Sequence, residues 1–143
     1  MAANGATRSS DAGPRMKVLL DSNIVIYLLD PQYAFLSDRL DGLKLQVSEV
    51  SRVEVLGFQG ISEAMFCAYE SLLDKLTNHA VTRRIISRAV VLRRQRKMSL
   101  GDALIAATAL EYDLTLITRN LRDFQWIEQL RLIDPFDENS AIG

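Results

Sequence analysis

The stretch MKVLLDSN, Met16 to Asn23, decides how this chain is read. Val18, Leu19 and Leu20 form an apolar run that stops at Asp21. A short run apolar on consecutive positions suits a strand covered on both faces by helices. Ser22 and Asn23 break the run, and Ile24 to Leu29 resumes it as a helix. Asp21 is therefore expected at the C-terminal end of a central strand, the rim at which open α/β sheets place their sites.

Outward from that stretch, strands and helices alternate. Asp30-Pro31 marks a break. Phe35 to Leu43 carries apolar residues at helical spacing, and Leu45 to Val47 reads as a second strand. Ser51 is the expected N-cap of a helix over 52–58, weakened by Gly57 and Gly60. Ser62 to Leu76 is a stronger helix, with Ala64, Met65, Ala68, Leu72, Leu73 and Leu76 as its apolar stripe. Thr77 to Ala80 is a turn or a very short strand. Val81 to Lys97 is again helical, and Ser99 opens the next helix. Within that helix Ala103 to Leu110 is apolar nearly all round, so it is expected to be buried. Leu114 to Ile117 and Leu130 to Ile133 complete the strands before Pro135. The alternation predicts one α/β domain over 16–143, with a parallel sheet and right-handed crossovers. The first fifteen residues are small and polar and read as a disordered extension or an expression remnant, not as a signal peptide.

Composition narrows the chemistry. Of 143 residues, 48% are hydrophobic and 24% charged, as in an ordinary globular domain. One cysteine, Cys67, rules out an internal disulfide or a cysteine zinc cluster, and one histidine, His79, argues against a His-rich metal site or a serine-type triad. A bound metal would need oxygen ligands, which favours Mg²⁺ or Mn²⁺. No apolar stretch reaches the length of a membrane span, and a cytoplasmic location is expected. Net charge is −1, yet no acid occurs between Lys75 and Gly101. Arg93, Arg94, Arg96 and Lys97 stand in that window, a basic stripe suited to a polyanion or, more blandly, to a solvated helix face.

Three acids sit where a strand or loop hands over to a helix: Asp21, Glu54 and Asp102. Each also has a capping reading. Asp21 suits an N-cap, and Ser51 to Glu54 and Ser99 to Asp102 both resemble capping boxes. In a parallel sheet, however, helix starts cluster at the rim where Asp21 is expected. The three carboxylates would then converge, and such a cluster is costly unless a divalent cation bridges it. After the last long strand, Asn120 and Asp123 are the candidates to complete the site, by direct contact or through a water. Thr118 and Asn23 are candidates for supporting hydrogen bonds.

Four segments taken in order, MKVLLDSNIVIYLL, VSEVSRVEVLGF, LRRQRKMSLGDALIAATAL and LTLITRNLRDF, resemble the PIN domain, and more narrowly the VapC-type toxins of bacterial toxin–antitoxin pairs. The likeness covers nearly all of Met16 to Phe136. It implies a three-layer α/β/α sandwich with a parallel sheet of four to five strands. It also implies an Mg²⁺- or Mn²⁺-dependent endoribonuclease, a homodimer, and a VapB-like antitoxin partner. Asp21, Glu54 and Asp102 match the family's acidic positions, with Asp21 and Asp102 expected on the metal and Glu54 on the metal or the attacking water. Many relatives carry a fourth acid where this chain has Asn120, a departure that removes a ligand for a second ion or hands the role to Asp123. The basic group Arg93, Arg94, Arg96 and Lys97 would hold the RNA backbone. Two other readings stay open: a cellular RNA-processing nuclease, and a catalytically inactive RNA-binding module.

Overall fold

The computed structural model describes residues 15–139. The rest of the chain, including nearly all of the expected N-terminal extension, lies outside the described residues. Five strands form one sheet: β1 (Lys17–Leu20), β2 (Lys44–Ser48), β3 (Thr77–His79), β4 (Thr115–Ile117) and β5 (Leu132–Ile133), in the order β3-β2-β1-β4-β5. Every neighbouring pair is parallel. The central strand is β1, as its apolar run predicts, and Val18, Leu19 and Leu20 are all fully buried.

The helices are α1 (Ser22–Leu28), α2 (Phe35–Arg39), α3 (Glu49–Leu56), α4 (Glu63–Asp74), α5 (Arg83–Gln95), α6 (Leu100–Glu111) and the single-turn α7 (Leu121–Phe124). They cover both faces of the sheet, giving two cores. Leu19 and Leu116 face one of them, packed with Ile85, Ala89 and Leu92 of α5, the alanine-rich side of α6, and Phe124. Val18, Leu20, Val47 and Ile117 face the other, packed with Ile24 and Val25 of α1, Val55 of α3, and Tyr69 and Leu73 of α4. The period-two alternation along each strand divides its side chains between the layers. The α/β/α sandwich is the architecture that the alternating pattern predicts, and Thr77 to His79 resolves as a short edge strand.

One element starts elsewhere than expected. The N-cap of α3 is Ser48 and not Ser51: Ser48 Oγ accepts from Val50 N–H at 3.0 Å. The strand's last ladder position already carries a hydroxyl that can take an orphan helix N–H, so the helix begins there. Ser51 and Glu54 therefore lie inside α3, and the capping-box reading of that pair is wrong. Replacing Ser48 with Ala should cost about 1 kcal/mol of stability, read as a lower urea midpoint at unchanged slope. By contrast Ser99 is the N-cap of α6, with its Oγ accepting from Asp102 N–H at 3.1 Å. Asp21 is the N-cap of α1, which begins at Ser22, two residues before the expected start.

Candidate active site

The rim at the C-terminal ends of β1, β2 and β4 is built by backbone that stays tied to the sheet after the strands end. Asp21 N–H donates to Ile117 O at 3.0 Å, and Thr118 N–H donates to Ile133 O at 3.0 Å. Asp21 and Thr118 are thus side by side, although 97 residues separate them. Asp21 is buried, at 6% exposure. Its Oδ1 accepts from Ser22 N–H at 2.8 Å, and its Oδ2 accepts from Thr118 Oγ1 at 2.7 Å. Both bonds favour the ionised carboxylate, yet burial outweighs them and pushes the group above its ordinary value, with the charges of Glu54 and Asp123 adding to the rise.

Glu54 reaches this rim from the second turn of α3. Its Oε1 accepts from Ser22 Oγ at 2.6 Å. A methyl group added to Gly101 would overlap Glu54 Oε2, so the carboxylate lies against the first turn of α6. Asp102, the next residue, is pushed up to about 6. Burial is the largest cause, followed by the charge of Asp21; a hydrogen bond from Ser99 opposes the rise, and Asp123 and Glu54 add to it. Asp123 completes the group from α7. Asn120 Nδ2 donates to Asp123 Oδ2 at 2.5 Å, while Asn120 N–H donates to Thr118 Oγ1 at 3.0 Å. Asn120 therefore braces the Asp123 carboxylate through its amide N–H.

Carboxylates from four elements thus gather at one rim, where Asp21 and Asp102 each feel the charges of Glu54 and Asp123. Among the described residues, no three Asp, Glu, His or Cys side chains close on a common point tightly enough to grip an ion as they stand. Ion pairs among the described residues lie elsewhere, including Arg52 with Glu49 and Asp74, Arg84 and Arg88 with Glu111, and Arg131 with Asp113. The donor set is oxygen only and partly desolvated, which fits a hard divalent ion of the Mg²⁺ or Mn²⁺ kind.

The remaining expected residues divide. Asn23 is exposed, and the supporting bonds sought from it come from its neighbour Ser22. Sequence reading missed Ser22 and Ser51; the adjacency of a small hydroxyl residue to Asp21 was the only signal for the first. Arg96 and Lys97 line a cleft of about 270 Å³ together with Asp102, Arg122, Asp123 and Trp126. Arg96 also lies over the Trp126 ring, 5.7 Å from its centroid. Arg93 and Arg94 line an adjoining groove beside Val90, which Arg96 and Lys97 also border, and Arg93 Nε donates to Met98 O at 3.2 Å. Arg84 and Arg88, which stand in the same acid-free window, are absorbed by Glu111, each at 2.7 Å. That acid lies ten residues beyond the acid-free window, so the window overstated the free charge. Arg119, beside Thr118, packs over Phe136 at 4.0 Å and near Tyr27 and Tyr33.

Among solved structures, the chain is similar to a toxin–antitoxin complex from Klebsiella pneumoniae, at 29% identity and a TM-score of 0.70, over 83% of this chain and 98% of that one. It is also similar to VapBC-1 from nontypeable Haemophilus influenzae, at 26% identity and a TM-score of 0.71, over 84% and 98%. DNA-bound VapBC from Salmonella typhimurium has a TM-score of 0.73 over 84% and 98%, and at 20% identity speaks for the fold alone. None of the curated proteins compared with the chain matches it. The family model of the PIN domain matches residues 18–128, a span that contains Asp21, Glu54, Asp102 and Asp123 together with the sheet rim that carries them; the chain belongs to the PIN-domain family.

Proposed function

We propose that the chain is a VapC-type toxin: a divalent-metal-dependent endoribonuclease that is restrained by a VapB-like antitoxin. The observation that carries this reading is the meeting of Asp21, Glu54, Asp102 and Asp123 at one rim, where burial first and then one another's charges raise the proton affinity of Asp21 and Asp102. Asp21 and Asp102 would hold the ion, Asp123 would join them, and Glu54 would hold it or orient the attacking water. When bound, such an ion lowers the pKa of water and offsets the charge that builds on a phosphodiester under attack. Thr118 keeps Asp21 oriented, and Asn120 does the same for Asp123. In-line attack leaves a 3′-hydroxyl and a 5′-phosphate. A histidine-driven route has no candidate, because His79 is stacked on Tyr112 and bonded to Gln46.

The RNA backbone is assigned to Arg96 and Lys97 beside the acids, with Arg93 and Arg94 extending the track. Replacing Arg96 or Lys97 with Ala should weaken RNA binding across sequences. Each change should also lower the slope of log affinity against log salt by about 0.7, read by fluorescence anisotropy over a salt series. The toxin–antitoxin complexes among the similar structures support an antitoxin partner. Exposed apolar side chains such as Val53, Phe58, Val90 and Val91 leave surface for that partner and for a second copy of the chain. No helix among the described residues is long and apolar enough to cross a membrane.

The deciding experiment uses a labelled RNA. Cleavage should stop on chelation with EDTA and return with Mn²⁺ or Mg²⁺. RNA binding with no metal-dependent cleavage would instead identify an inactive binding module. Cleavage without growth arrest on expression would identify an RNA-processing nuclease.

A further inference from the structure

We propose that Ser22 is a positioning residue that sets two carboxylates of the site at once, with Ser51 directing its hydroxyl and Gly101 leaving room for the result. This rests on the reading of Asp21, Glu54 and Asp102 as ion ligands. Ser22 is buried at the first position of α1. Its N–H donates to Asp21 Oδ1 at 2.8 Å, and its Oγ lies 2.6 Å from Glu54 Oε1 and 2.8 Å from Ser51 Oγ. A serine has one hydroxyl proton and an ionised carboxylate has none. The Ser22 proton therefore goes to Glu54, and the Ser51 hydroxyl supplies the second bond. Ser51 is fully buried in α3, so turning Ser22 away would strand a buried donor.

The consequence is a division of labour within Glu54. Oε1 is committed to Ser22, which leaves Oε2 as the oxygen for an ion or a water. Oε2 lies where any side chain on Gly101 would overlap it. Gly101 sits in the first turn of α6 without a positive φ, so its backbone does not call for glycine. Glycine is a poorer helix former than alanine; the carboxylate packed against it supplies the reason for its presence. One backbone N–H and one hydroxyl of a single residue thus fix acids from two elements, and the glycine of a third keeps the free oxygen open beside Asp102.

The test reads Mn²⁺ binding to the full chain by titration calorimetry, without RNA, alongside steady-state cleavage. Ser22→Ala keeps the N–H to Asp21 and removes only the hydroxyl. Mn²⁺ affinity should fall by about 10- to 100-fold, as for other outer partners of metal ligands, with kcat falling in parallel and KM for RNA unchanged. Gly101→Ala should weaken Mn²⁺ in the same range by displacing Oε2. In a Glu54→Ala background, Ser22→Ala should add nothing, because its effect passes through Glu54. Should Ser22→Ala fail to fold, Ser51→Ala carries the same test, with a loss of about fivefold for one neutral hydrogen bond that also vanishes without Glu54. Wild-type Mn²⁺ affinity in Ser22→Ala, or an equal loss with and without Glu54, overturns the proposal. Unchanged Mn²⁺ binding in Glu54→Ala overturns this proposal alone, whereas unchanged Mn²⁺ binding in Asp102→Asn would overturn the carboxylate site itself, and this proposal with it.

Discussion

Replacing Asp102 with Asn should abolish RNA cleavage and make the protein more stable at neutral pH. The two effects have one origin. Asp102 is half-buried and faces the charges of Asp21, Asp123 and Glu54, which together with burial lift it to about 6. On the proposed function Asp102 would touch the ion, so its loss should exceed the 10- to 100-fold typical of an outer partner, and cleavage should fall by more than about 100-fold. Asparagine keeps the shape and removes the charge. Its melting temperature in the absence of metal should therefore lie above that of the wild type at pH 7.5.

The sign of the pH dependence follows from the direction of the shift. Between the ordinary value of 3.8 and about 6, the folded protein holds more of the Asp102 proton than the unfolded chain does. Wild-type stability should therefore fall as pH rises through that window, and Asp21, shifted in the same direction, adds to the fall. The advantage of Asp102→Asn should shrink towards nothing below pH 4 in a melting series. Mn²⁺ should reverse the order at pH 7.5, raising the wild-type melting temperature by mass action and leaving the variant little changed. Equal responses of both proteins to Mn²⁺ would remove Asp102 from the ion site.

Phe124→Ala should produce the largest loss of stability of any single change considered, about 3 to 5 kcal/mol. Phe124 is fully buried among Leu19, Leu116 and the α6 alanines. It ends α7, a four-residue helix whose N-cap residue makes no side-chain cap bond. A single turn has no stability of its own, so the buried ring is what docks it. Asp123 precedes Phe124, so the same change should loosen Asp123 and weaken Mn²⁺ binding. Urea unfolding measures the first effect, with the midpoint shifted at unchanged slope. Calorimetry measures the second. Phe124→Leu, which refills most of the volume, should show a smaller version of both.

Much of the architecture could be read along the chain, because it is written within one or two turns. The burial of Val18 to Leu20, the stripe of α4, the alanine-rich interior of α6 and the Ser99 cap each depend on residues a few positions apart. Position on the sheet followed as well, since a parallel sheet puts Asp21 at the rim where the helices start. The start of α3 was not legible, because Ser48 and Ser51 both suit a cap. Only the end of the β2 ladder chooses between them. That choice frees Glu54 from a local role.

By itself the sequence determined two packed layers around a parallel sheet and a likeness to the PIN domain, and it put Asp21, Glu54 and Asp102 forward as the acids to look for. Only the tertiary structure decided that Ser22 and not Asn23 turns towards Glu54. It also decided that Asn120 serves Asp123, and that Glu111 consumes Arg84 and Arg88. The physical reason is range. Hydrophobic period and capping act between near neighbours in the chain. A hydrogen bond between Thr118 and Asp21, or an ion pair from α5 to α6, exists only once packing has brought distant segments to within 3 Å of each other.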